Sequence, residues 1–123
     1  MKNIVNHIMR LDKEPFDMIN SGIKTVEYRL NDDKRKKIKI GDTITFLKRP
    51  EEKEKIVVKV VDLKYYPTLF DMYTDTFFNH LNRYYKDPKE VVEDTTYYSE
   101  EEIKKYGCVA IFLKKLYDNF IVS

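Results

Sequence analysis

The sequence predicts an α+β fold, a small mixed β-barrel flanked by short helices. Two observations carry this: several β-prone segments recur at short spacing, and the helical patterns are too few to cover both faces of a parallel sheet. The length of 123 residues fits one domain, 1–123, and neither a linker nor an internal repeat interrupts it.

Residues 3 to 11 alternate as a first strand, with Val5, His7, Met9 and Leu11 on one face and Ile4, Asn6, Ile8 and Arg10 on the other. Asp12 is a helix N-cap, Pro15 suits a first turn, and Phe16, Met18 and Ile19 recur at helical spacing until Ser21-Gly22 closes the element. A strand through Leu30 follows and ends at Asn31-Asp32-Asp33, a turn and cap. Gly41-Asp42 launches a β-prone run, Thr43 to Leu47, and Pro50 to Glu54 reads as a hairpin tip. Lys55 to Leu63 is the next strand, largely buried by composition, and Tyr65-Tyr66-Pro67 breaks it.

Thr68 to Tyr85 carries apolar residues at three- and four-residue intervals, a helix, and residues 86 to 98 read as irregular. Ser99 followed by Glu102 is a capping box that opens a short helix ending near Tyr106-Gly107. Cys108 to Leu113 is the closing strand, with Leu116 to Val122 a separate tail strand.

Composition narrows the function. The net charge is only +2, which argues against binding long duplexes through bulk charge. The lone cysteine, Cys108, lies in an apolar run and reads as a buried structural thiol. No apolar run approaches the ~18 residues of a membrane span, and no signal-peptide core opens the chain, so a cytoplasmic protein off the membrane is expected. A Cys/His cluster, a glycine-rich phosphate loop and an H-E-x-x-H helix are all missing, so neither a metal nor a cofactor is expected.

The chemistry concentrates in Ser21 to Leu30, where Lys24, Glu27 and Arg29 fall within six positions. An extended chain there puts Lys24 with Val26, Tyr28 and Leu30 on one face, and Thr25, Glu27 and Arg29 on the other. Glu27 and Arg29 are then same-face neighbours about 7 Å apart. Such a trio makes either a solvated ion-pair rim, worth ~0–1 kcal/mol, or a polar pocket. In a pocket the lysine and glutamate can exchange protons, and the guanidinium can grip a phosphate or a base edge. The basic run Lys34-Arg35-Lys36-Lys37 is a solvated turn capped by the preceding acids, or a patch that draws phosphates, which Lys48 and Arg49 could extend. His7 is a packed histidine or a cleft-edge proton carrier, and Tyr65 and Tyr66 can pack or stack on a base.

Gly22-x-Lys24-x-x-Glu27-x-Arg29 resembles the G-x-K-x-x-E-x-R signature of ASCH domains, which are related to the PUA fold. His7-x-Met9-x-Leu11, Phe16-x-x-Ile19, Lys39-x-Gly41-Asp42-x-Ile44-x-Phe46 and Glu102 to Phe112 agree with it in order. The resemblance implies a PUA-like barrel with a cleft at the signature residues, and RNA, a nucleotide or a modified nucleoside as partner. One branch of the family removes the acyl group of N4-acetylcytidine with a Lys, a Thr and a Glu; another has been associated with ribonuclease activity. Lys24 lies where the amidohydrolase branch has its lysine, but the threonine position of that branch is Glu27 here, and a carboxylate there activates water or pairs with the lysine in place of hydroxyl attack. The expected function is therefore a small RNA- or nucleotide-binding domain whose ligand residues are Lys24, Glu27, Arg29, Lys34, Arg35, His7 and Tyr66. The alternatives are a hydrolase, amidohydrolase-like or ribonuclease, using Lys24 and Glu27 as catalytic pair, and a protein-interaction module along residues 69 to 85.

Overall fold

The computed structural model describes the backbone of residues 3–121 and the side chains of residues 3–116. The elements are β1 (Asn6–Leu11), α1 (Lys13–Asn20), β2 (Val26–Leu30), a 3-10 turn (Arg35–Lys37), β3 (Thr43–Lys48), β4 (Glu54–Tyr66), α2 (Leu69–Thr76), a π-helical turn (Phe77–Leu81), α3 (Pro88–Asp94), α4 (Glu100–Tyr106) and β5 (Cys108–Ile121). The strands form one mixed five-stranded sheet in the order β1–β3–β4–β5–β2, the α+β, PUA-like architecture the sequence predicts. The chain divides into two compact units, one comprising the chain up to Glu27, Ile38–Leu63 and the stretch from Phe112 onward, the other Tyr28–Lys37 and Lys64–Ile111.

In the first unit β1 runs parallel to β3, Asn6 opposite Thr43 through Leu11 opposite Lys48, and β3 pairs antiparallel with β4. Alternation holds in β1: Met9 and Leu11 are buried, whereas Ile8 and Arg10 on the other face are exposed. β4 alternates too, burying Ile56, Val58 and Val60 while Val61 is exposed, so it is covered on one face instead of buried throughout. Its β-branched residues suit a half-buried pleat as well as a closed one. The strand also continues through Tyr65 and Tyr66, past the expected break. Helix α1 buries Phe16 and Ile19. Asp12 has the extended N-cap backbone but no side-chain cap bond; its carboxylate lies 3.6 Å from the Arg49 guanidinium instead. Lys48 Nζ meets Glu54 at 2.9 Å and Asp17 at 3.4 Å, with the Phe16 ring below it. Lys48 and Arg49 thus tie the start of α1 and its Asp17 to the β3–β4 hairpin.

The second unit contains the helical insertion. Thr68 caps α2 by accepting from the Asp71 N–H at 3.1 Å. The helix buries Leu69, Met72, Tyr73 and Thr76, and the following π turn buries Phe77 and Leu81. On the predicted protein-contact face, Phe70 and Phe78 remain exposed. Tyr28 meets Tyr73 edge-on at 5.2 Å and donates to Thr76 at 2.9 Å. Residues 86 to 98 are not all irregular: Asp87 caps α3 through the Glu90 N–H at 3.0 Å, with Pro88 at its first position. That helix spans only seven residues and buries only Val91, so apolar periodicity could not signal it. The capping box of Ser99 and Glu102 opens α4 as predicted, and Gly107, at φ 71°, ends it. β5 is one continuous strand, not two; Val122 of the expected tail strand lies outside the described residues.

Candidate functional site

In the first unit, the turn after α1 positions Lys24. Gly22 adopts φ 82°, and the N–H groups of Gly22 and Lys24 donate to Ile19 and Met18 at 3.1 and 3.0 Å. Residues 23 to 25 therefore curl over the helix end, and β2 starts only at Val26. The Lys24 ammonium donates to Glu27 Oε1 at 2.8 Å, although strand alternation predicts opposite faces for the two. Alternation governs a regular strand only, and Lys24 lies before β2 begins. The Glu27 carboxylate is 5% exposed and the lysine 23%, so water reaches the pair from the lysine side. Val26 and Glu27 are both buried, which means both faces of β2 are covered at this point.

His7, on β1, is bonded through Nε2 to Asp42 Oδ2 at 2.8 Å, just before β3. Asp42 also accepts from the Lys39 N–H at 3.0 Å and the Val5 N–H at 3.3 Å. Burial pushes its pKa up, but the His7 ring and the two backbone donors outweigh burial and hold it below the usual carboxylate value. The sequence marks Asp42 as a residue that launches β3, yet it is among the most buried charged residues described. The thiol of Cys108 is pushed up to about 11 by burial, as befits an inert core cysteine.

In the second unit, Arg29 and Arg35 line one cavity of about 160 Å³ together with Leu30, Asp32 and Tyr98. Asp32 is bonded to Arg35 within this lining. Its Oδ1 accepts from the Arg35 N–H at 3.0 Å, and its Oδ2 lies 3.4 Å from Arg35 Nη1. The acid that caps the 3-10 turn therefore also contacts the Arg35 guanidinium. At 14% exposure, Arg35 is withdrawn from the solvated run around it, while Lys34 is exposed. Lys36 lies 5.9 Å from the centre of the Tyr106 ring. Tyr66 donates to the Asp75 carboxylate and does not line the cavity. Tyr98 was not anticipated, because it closes the segment read as irregular; the Tyr97-Tyr98 pair immediately before a capping box was its only sequence signal.

A larger, open hollow of about 550 Å³ runs along α1, lined by Lys13, Glu14, Asp17, Met18, Ser21 and Ile23. It contains no predicted site residue, and two of its charges, Lys13 and Asp17, are spent on each other. Among the described residues no group of three or more His, Cys, Asp or Glu side chains is placed to hold a metal, and no described helix is long and apolar enough to cross a membrane.

The profile of the ASCH domain matches residues 9–116. Among solved structures, hypothetical protein PH0355 superposes with a TM-score of 0.78 at 33% identity, over 91% of this chain and 100% of that one. Protein PF0455 from Pyrococcus furiosus follows with TM-score 0.70 and 32% identity, over 91% of this chain and 98% of that one. An ASCH protein from Zymomonas mobilis shares the fold at 16% identity and TM-score 0.53, over 89% of this chain and 66% of that one. No functionally curated protein matches the sequence. With its signature strand, its sheet order and a profile match spanning nearly its full length, the chain belongs to the ASCH domain family.

Proposed function

We propose that this ASCH domain binds RNA, or a nucleotide-sized fragment of it, with Arg29 and Arg35 taking the phosphate. The observation that supports the reading is a single cavity lined by both Arg29 and Arg35, with the Asp32 carboxylate 3.4 Å from Arg35 Nη1. Guanidinium pairs suit phosphate because their planar donor forks match its oxygens. Size supports a group-sized ligand: about 160 Å³ falls below the ~300–1,000 Å³ of pockets that enclose a whole small molecule. Lys34, in the same turn, adds positive potential at the surface. Titration of a labelled single-stranded oligoribonucleotide tests this by anisotropy. Arg29→Ala is expected to weaken binding and leave the far-ultraviolet circular dichroism unchanged. Wild-type protein that binds neither oligonucleotides nor nucleotides overturns the reading.

One observation favours a second reading, hydrolysis. Lys24 and Glu27 are within proton-transfer distance of each other, and the pair is open on one side. Glu27 would take a proton from water as that water attacks the acyl carbon of an acylated cytidine. Lys24 would stabilise the oxyanion, and the amine would leave with the proton, giving carboxylic acid and free cytidine. Chromatography of N4-acetylcytidine and of single-stranded RNA incubated with the protein decides it. Turnover lost in both Lys24→Ala and Glu27→Gln supports hydrolysis, whereas unchanged substrates rule it out.

A further inference from the structure

The geometry points to a single-stranded RNA subsite in the second unit, in which a phosphate sits between Arg29 and Arg35 and the neighbouring base stacks on Tyr97. This rests on the RNA-binding reading and adds what that reading leaves open: the strandedness of the RNA and the residue that senses it.

Tyr97 is 70% exposed, an unusual amount for a large ring held in a short loop between two helices, α3 and α4. It is not loose. Its ring meets Tyr98 edge-to-face, with centroids 4.6 Å apart and planes at 66°. Tyr98 is half-buried and forms part of the cavity wall beside Arg29 and Arg35. The two tyrosines thus join an anion-binding hollow to an aromatic surface in solvent, one residue apart along the chain. A nucleotide has the same two parts, a charged phosphate and a flat apolar base. The loop is also pinned at both ends, by Thr95, whose hydroxyl bonds Tyr73 at 2.8 Å, and by the Ser99 capping box. Preorganised rings of this kind bind bases with little loss of side-chain entropy.

Stacking selects for strandedness. A base inside a duplex already has both faces covered and its edge paired, so an external ring can stack only on an unpaired base. Duplex RNA would offer its phosphate to the arginines but nothing to Tyr97. The expected stacking residue Tyr66 donates its hydroxyl to the Asp75 carboxylate.

The experiment compares labelled oligo(U) with the same strand annealed to oligo(A), on wild type, Tyr97→Ala, Tyr97→Phe and Arg35→Ala. Wild type is expected to prefer the single strand. Tyr97→Ala should weaken oligo(U) binding by about 5- to 150-fold while leaving duplex binding unchanged. Tyr97→Phe should restore it, because the ring and not the hydroxyl makes the stack. Arg35→Ala should weaken both ligands. Wild type that binds both forms equally, with Tyr97→Ala neutral, overturns the subsite and leaves the RNA-binding reading intact. Wild type that binds neither form overturns both.

Discussion

At the scale of single residues, burial separates two mutations that look equivalent. Lys24→Ala removes the ammonium from a carboxylate that is 5% exposed, whereas Glu27→Gln leaves a lysine that already touches water. Lys24→Ala should therefore cost more, ~3 kcal/mol against ~1.5 kcal/mol, because losing this bond costs more at a carboxylate withdrawn from water than at an ammonium that water can solvate. Urea unfolding of both variants checks the order; equal midpoints would refute it. Asp42 sets a pH dependence. Its folded pKa is depressed, so its stabilisation is present above the unfolded value of ~3.9 and is lost as pH falls through the lower folded value. Wild-type stability should decline from about pH 5 downward, and Asp42→Asn should flatten that acid limb. Thermal melts across pH 2 to 7 would show it, and parallel limbs in the two proteins would count against it.

At the scale of elements, two glycines with similar φ angles predict different costs. Gly107 combines φ 71° with ψ −171°, a region essentially closed to other residues, and an added Cβ would meet the Tyr66 carbonyl oxygen at 3.1 Å. Gly22 has φ 82° but open space around it. Gly107→Ala should cost ~1–3 kcal/mol, from strain plus the close contact, and more than Gly22→Ala. Equal unfolding midpoints for the two variants would contradict this. For α3, Asp87→Ala removes the side-chain cap and should cost about 1 kcal/mol, with the loss read as faster amide exchange in residues 89 to 94. Caps and glycine stops were legible in the sequence because they act within three or four residues. The extent of β5 was not: its lysines at 114 and 115 look like a break, yet Lys115 turns inward to donate to the Asn20 carbonyl at 2.6 Å.

At the scale of the molecule, a net charge of +2 means that the proposed RNA binding would depend on a few local contacts. The slope of log affinity against log salt should be shallow, about −0.7 for each phosphate neutralised on a single strand. Arg29→Ala should reduce it by roughly one such step; an unaltered slope would place the phosphate elsewhere. Much of the architecture was readable at this scale, since alternating and helical periods fix which side chains face inward. The two candidate groupings were only half readable. Lys24, Glu27, Arg29 and Arg35 stood out as residues, but their grouping did not follow the strand pattern that suggested it.

By itself the sequence determined the α+β class, the order of most elements, their caps and the family signature, because each is encoded by neighbours a few positions apart. Tertiary structure alone decided that Lys24 folds back onto Glu27, that His7 serves Asp42, and that Tyr98 joins Arg29 and Arg35. Those pairings depend on turns and on segments brought together from distant parts of the chain, and no periodicity along a strand carries that information.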